Sequence, residues 1–139
     1  MTDASIVERN RESVRQAFER WREGRGNLFE LMAPDVRWEI VGHSAVAGTY
    51  QSKEAFMNQV IVPLNKRFAR PLVPAVRHVF ADGDTVVALF DAETVATDGL
   101  PYRNSYSWIL RFRDGSIVDV VAFFDSVAFN ELWTRVSPA

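Results

Sequence analysis

The sequence predicts a single α+β domain in which helices pack on one face of a curved, largely antiparallel sheet. Three observations predict it. Helical periodicity dominates the first half, and strand alternation dominates the second. Asp-Gly turn signals recur at Asp82-Gly83, Asp98-Gly99 and Asp114-Gly115, a spacing that generates successive antiparallel hairpins. Between the last two turns, the segment YRNSYSWILRFR (Tyr102 to Arg113) alternates in an unusual way. Successive side chains in a strand point to opposite faces, so Tyr102, Asn104, Tyr106, Trp108, Leu110 and Phe112 share one face. An ordinary core strand carries aliphatic residues there. Rings interspersed with a few polar groups are what a small-molecule pocket needs.

The elements follow in order. Val7, Val14, Phe18 and Trp21 form a helical stripe from Ser5 to Trp21, and Gly24 and Gly26 end it. Leu28 to Ala33 reads as one or two helical turns stopped by Pro34. Val36 to Val41 alternates as a short strand that presents Val36, Trp38 and Ile40 on one face, and Gly42 to Gly48 is a loop. Ser52 is an N-cap for a helix whose stripe is Phe56, Val60, Leu64 and Phe68, and Pro63 is expected to kink or split it. Pro71 to Phe80 is a strand confined by its prolines to a sheet edge. Val86 to Ala96, Tyr102 to Arg113 and Ser116 to Asp125 are three further strands, and Phe129 to Val136 is a short terminal helix. No repeat or linker divides residues 1–139.

Composition narrows the function. An apolar share of 47% indicates a globular chain, and a net charge of −2 without a basic stripe gives no support for nucleic-acid binding. The arginines of the first helix alternate with glutamates, the pattern of a solvated face. There is no cysteine, which excludes disulfides, thiolate metal sites and thiol nucleophiles. His43 and His78 lie far apart, and no HxH or HExxH spacing exists, so no metal site is expected. No apolar run reaches the ~20 residues of a membrane span. The N-terminus lacks a secretion pattern, and the expectation is a cytoplasmic protein.

Five polar residues are candidates for chemistry. Asp91 shares a face with Val87, Leu89, Glu93 and Val95; that face is either the pocket, where a carboxyl would suit acid–base work, or the solvated side. Asp125 ends the last strand and either serves the pocket or caps the following helix. Tyr106 and Asn104 on the ring-bearing face either hold a reacting oxygen or bond to loop backbone. His43 sits in the Gly42–Gly48 loop, either as a proton shuttle at the pocket mouth or facing solvent. Phe18, Trp21, Trp38, Phe56, Tyr102, Trp108 and Phe123 are the expected ligand-facing rings, each of which could equally be core.

These residues also carry a resemblance. WEIVGHSAVAGTYQSKEAF resembles the segment of SnoaL-like proteins in which a tryptophan strand leads through a Gly-x-Ser loop and Ala-Gly-x-Tyr to a helix. DGLPYRNSYSWILRFRDGSIVDVVAFFD is similar to the end of the same family. The resemblance implies the cone-shaped, cystatin-like α+β barrel of the nuclear-transport-factor-two-like superfamily, with three to four helices on the concave side of the sheet. That superfamily includes ketosteroid isomerase, limonene epoxide hydrolase, scytalone dehydratase and SnoaL-type polyketide cyclases. The oxyanion-hole groups of ketosteroid isomerase fall on Phe18 and Trp108 here, and its base falls near Glu39 or Ile40. The Asp-Arg-Asp set of limonene epoxide hydrolase falls on Asp91, Leu89 and Ala122, and its water-holding pair on Trp38 and Ile40. Both machineries are therefore broken in this chain. The aspartate of the polyketide cyclases is matched by Asp91 or Asp125.

The expectation is a pocket that binds a small, largely apolar molecule and performs acid–base chemistry on it without a cofactor, as an isomerase, cyclase, dehydratase or hydrolase. The alternative is a non-catalytic binder with the same pocket. Apolar residues on the convex face of the sheet are expected to form a homodimer.

Overall fold

The structure is a computed structural model that describes residues 3–138. Helix α1 (Asp3–Arg22) is followed by a 3₁₀ turn (Leu28–Leu31) and strand β1 (Met32–Ile40). Next come β2 (Gly48–Tyr50), α2 (Lys53–Phe56), a π-helical turn (Met57–Ile61) and α3 (Val62–Asn65). Four long strands, β3 (Val73–Asp82), β4 (Thr85–Val95), β5 (Pro101–Arg113) and β6 (Ser116–Phe124), lead to α4 (Ser126–Arg135). The six strands form one mixed sheet in the order β2-β1-β6-β5-β4-β3. Only the β1–β6 pair is parallel. The helices cover the concave side, so the expected α+β architecture holds. The proline-bearing β3 lies at an edge, where a missing N–H costs no ladder bond.

Three local details differ from expectation. Pro34 does not stop a helix; it lies inside β1, whose register against β6 is irregular between Met32 and Arg37. The bulge accommodates the residue that cannot donate. Gly48–Tyr50 pairs with Trp38–Ile40 as a short edge strand, where the sequence showed only the end of a loop. Pro63 neither breaks nor splits its helix. Ser52 caps it as predicted by accepting from Ala55 N–H at 3.0 Å. The turn before Pro63 then opens to a π-helical pitch, with Val62 N–H reaching back to the Met57 carbonyl. One wider turn absorbs the donor that proline removes.

The buried face of the sheet is the even-numbered face of β4 and β5. Val86, Ala88, Phe90, Ala92 and Thr94 are buried on β4, as are Tyr102, Asn104, Tyr106, Trp108, Leu110 and Phe112 on β5. Phe18 on α1 packs between Trp21 and Phe90, with ring centroids 5.7 and 4.8 Å away. At the other end, Arg67 holds α4 in place. Its Nε donates to the Val136 carbonyl at 2.7 Å, Nη1 to the Pro63 carbonyl at 3.0 Å, and the guanidinium lies 3.7 Å over the Trp133 ring. Burial lowers the pKa of this arginine, which has carbonyls and an indole face to stabilise its charge.

The convex face carries the odd-numbered residues of β4, β5 and the end of β6, and the even-numbered residues of β3 beyond its irregularity between Val76 and His78. Phe80, Val87, Ile109 and Val121 line up across four strands, and Phe123 lies beside them. Asp91 is on this face too, not in the interior. It pairs with Arg77 at 2.9 Å and accepts from Ser105 Oγ at 2.7 Å. The Ser105 hydrogen bond and then Arg77 lower its pKa. Of the two faces open to Asp91 in the sequence, the solvated one is correct. β4 is apolar on both sides, and the face with Ala88, Phe90 and Ala92 is the buried one, where Phe18 of α1 packs on Phe90.

Phe18→Ala is expected to destabilise the fold by about 3–5 kcal/mol in chemical denaturation, because the ring is enclosed and its neighbours cannot collapse into the gap. Asp91→Asn is expected to cost less than about 1 kcal/mol at neutral pH, since the pair is half exposed. The depressed carboxyl contributes in full above the ordinary aspartate range and loses that contribution as pH falls through its lowered pKa, so the difference between variant and wild type should begin to shrink below about pH 4 in thermal unfolding and go on shrinking at lower pH.

Candidate functional site

The space between the concave face and the helices is not filled. A cavity of about 510 Å³ lies there, walled by every layer of the fold. α1 supplies Trp21, the 3₁₀ turn Phe29, and β1 Trp38 and Ile40. Phe56, Met57, Val60, Ile61 and Leu64 come from the continuous helical segment 53–65. Phe90, Tyr106, Trp108, Ala122 and Phe124 come from β4 to β6, and Phe129 from α4. Asn27, Asn65 and Arg70 add polarity.

The walls stand because rings brace one another. Trp38 stacks on Phe56 at 4.0 Å and meets Trp108 edge-on at 5.0 Å. Tyr106 stacks on Phe90 at 4.8 Å with planes 5° apart. Trp21 is tied to the opposite rim, where its indole N–H donates to the Leu72 carbonyl at 3.0 Å. Gly26 also lines the cavity, beside Glu30. A Cβ there would meet Glu30 Oε1 at 2.6 Å, and Glu30 is the carboxylate that caps the 3₁₀ turn through Asn27 N–H.

The cavity has one phenol, Tyr106, and it sits at the end of a hydrogen-bonded chain. Tyr106 Oη lies 2.8 Å from Tyr102 Oη. Tyr102 Oη accepts from Asn104 Nδ2 at 2.8 Å, and the same Nδ2 donates to the Asp125 carbonyl at 3.0 Å. Asn104 Oδ1 accepts from Asp125 N–H at 3.1 Å and Ser105 N–H at 2.7 Å. Burial pushes the Tyr106 phenol well above its ordinary pKa, and burial raises Tyr102 as well. Both phenols therefore stay protonated across the physiological range.

The expected site residues are thus divided. Trp21, Trp38, Phe56, Trp108 and Tyr106 meet at the cavity. Phe18 lies behind Trp21 as core, and Tyr102 stands behind Tyr106, stacked on Phe68 at 5.6 Å. Asn104 is buried away from the cavity wall as a clamp between β5 and the end of β6. Asp125 is the N-cap of α4, its carboxylate accepting from Val127 N–H at 3.0 Å. His43 is exposed in its loop, and its carbonyl accepts from Asn130 Nδ2 at 3.2 Å. Phe123 points outward at 43% exposure, and Phe124 takes the place expected for it. Both faces of β6 are apolar, so alternation alone gave no phase; the pairing of Tyr106 with Phe124 sets it. Phe29 and Arg70 were missed because they come from a turn and a connection that carry no periodicity, and Phe68 was read only as the end of a helical stripe, whereas the helix stops at Asn65. His78 stacks on Phe80 at 5.3 Å.

No aspartate, glutamate or histidine among the described residues lines the cavity. Nor does any cluster of such residues suited to a metal ion occur among them. No helix among them is long and apolar enough to cross a membrane.

Comparison with known proteins agrees with this architecture. No curated protein matches the chain. Among solved structures, Bal32a from a soil-derived mobile gene cassette superposes with a TM-score of 0.74 at 22% identity, over 92% of this chain and 98% of that one. An NTF2-like protein of unknown function from Burkholderia pseudomallei K96243 gives 0.70 at 22% identity, over 91% and 98%. TerC, co-crystallised with polyporic acid, gives 0.71 at 22% identity, over 89% and 97%. At these identities the likeness is one of fold. The SnoaL-like domain model matches residues 14–120, from the buried stripe of α1 to the centre of β6, and this chain belongs to the SnoaL-like family.

Proposed function

We propose that this protein binds a small, flat, largely apolar molecule in the ring-walled cavity, with an oxygen-bearing end toward Tyr106. The observation that carries the reading is the cavity itself. Its 510 Å³ is within the range of about 300–1,000 Å³ typical of small-molecule sites, and its wall is apolar apart from a few polar groups. Stacked indoles and phenyls suit a conjugated skeleton. The co-crystallisation of TerC with polyporic acid supports a small-molecule role for a protein of this shape.

The wall also bears on catalysis. Proton abstraction needs a base within hydrogen-bond reach of the substrate, and neither Asp91 nor Asp125 nor His43 lines the cavity. The Tyr106 phenol can donate a hydrogen bond but is held too basic to lose its proton near neutrality. Binding is therefore the reading that the geometry favours. A reaction in this cavity would rest on ligand orientation, exclusion of water and hydrogen-bond donation to an oxygen where charge develops, without a protein base.

The convex face supports a homodimer. The row Phe80, Val87, Ile109 and Val121 with Phe123 is an apolar centre, and the Arg77–Asp91 and Arg103–Glu93 pairs flank it on β3, β4 and β5. An apolar patch with a charged rim suits a two-fold interface.

Two measurements test these readings. Planar aromatic ketones should quench tryptophan emission from Trp21, Trp38 and Trp108 on titration. Ala122→Trp should weaken that binding at least about tenfold by filling the cavity, with an overpacking cost of about 1–3 kcal/mol. In sedimentation, wild type should run at twice the 15.8 kDa chain mass, and Ile109→Arg should run as a monomer that still binds the ketone. A monomeric wild type would overturn the dimer.

A further inference from the structure

We infer that Asn104 and Tyr102 act as positioning residues that turn the Tyr106 hydroxyl proton into the cavity, so that the cavity selects ligands with an acceptor oxygen at that point. The inference rests on the binding role proposed above and assigns it a polarity.

The argument is a count of protons. The Asn104 amide has no freedom to flip, because its Oδ1 faces two backbone N–H groups, Asp125 and Ser105. Its NH₂ must then supply both remaining bonds, one to the Asp125 carbonyl and one to Tyr102 Oη. Tyr102 Oη is thereby an acceptor, and its single proton needs a partner of its own. The ring is 2% exposed, and the acceptor in reach is Tyr106 Oη at 2.8 Å. In the opposite arrangement Tyr106 would donate to Tyr102, and the Tyr102 proton would be buried without an acceptor. That alternative carries the full penalty of an unmade bond, whereas Tyr106 lines the cavity and can offer its proton to a ligand. The chain therefore runs Asn104 to Tyr102 to Tyr106 to ligand. Each link leaves the next oxygen more polarised.

Stacking fixes the direction. Tyr106 lies flat on Phe90, and Tyr102 on Phe68, so neither ring can swing its oxygen elsewhere. The register places the whole chain on adjacent same-face positions of β5. A hydrocarbon gains nothing from this arrangement. A ketone, quinone or phenolate of the same shape gains one charge-polarised hydrogen bond in a water-poor site.

The test uses 9-fluorenone and fluorene, which share a planar skeleton and differ by the carbonyl. Wild type should bind fluorenone roughly fivefold or more tighter than fluorene, the worth of one hydrogen bond, and the carbonyl stretch of bound fluorenone should shift to lower frequency. Tyr106→Phe should abolish both the preference and the shift, so that fluorenone and fluorene bind alike. Tyr102→Phe keeps the Tyr106 hydroxyl yet should reduce the preference and the shift, because Tyr106 is then free to turn. A core role for Tyr102 would instead weaken both ligands equally. A Tyr102→Phe variant with undiminished preference and shift overturns the inference. So does a wild type that binds both probes equally, and that result leaves the binding role intact. Failure of both probes to bind overturns the binding role itself.

Discussion

Strand β5 is the reference on which everything else is built. It pairs with β4 from Pro101 to Arg111 and with β6 from Tyr106 to Arg113, and one of its faces carries six buried side chains in unbroken alternation. A slip of one residue would turn two phenols, an indole and an amide outward and bury arginines and serines in their place. Hydrophobic burial therefore fixes the phase of the sheet. The same phase places Tyr106 and Trp108 at the cavity and Asn104 where it can clamp the start of α4.

The cavity persists because its wall is made of rigid parts. Flexible aliphatic side chains would collapse into a void of this size, whereas rings stacked face to face or edge to face have few alternative rotamers. Trp38 shows the cost of such a wall. Its indole N–H is buried with no hydrogen-bond partner, while both faces of the residue are engaged by Phe56 and Trp108. Around this wall the polar clamps sit at the edges: Trp21 to Leu72, Asn104 to Asp125, and Arg67 to Val136. They tie the helices and their connections to neighbouring segments, and they leave the centre apolar.

Much of the fold was legible in the sequence because its signals are periodic. The Asp-Gly turns set the hairpins, and at Asp114-Gly115 both residues adopt the positive φ that such a turn requires. Ser52 and Asp125 cap the helices that follow them. The ring-bearing face of β5 was read correctly from alternation alone. The site was less legible. Asp91 lies on a strand with apolar residues on both faces, so alternation could group it with Leu89 but could not say which group faced inward. Phe123 and Phe124 posed the same ambiguity. The cross-strand ladder and the seat of α1 resolve both, and neither is a local property of the chain. Resemblance to the family supplied the architecture that periodicity left open, while the residue-by-residue mismatch set aside only the ketosteroid isomerase and limonene epoxide hydrolase machineries and left Asp91 and Asp125 as the expected acids.

The π-helical turn at Met57–Ile61 has an evolutionary reading. It lies where the helical wall contributes Met57, Val60, Ile61 and Leu64 to the cavity, and it amounts to one residue more than a regular helix needs. Loss of that residue would rotate everything downstream by about 100°. A relative could thus exchange a whole set of cavity-facing groups through a single deletion, with the sheet untouched. Such a hinge point in sequence space offers one route by which a scaffold of constant shape can acquire new ligands.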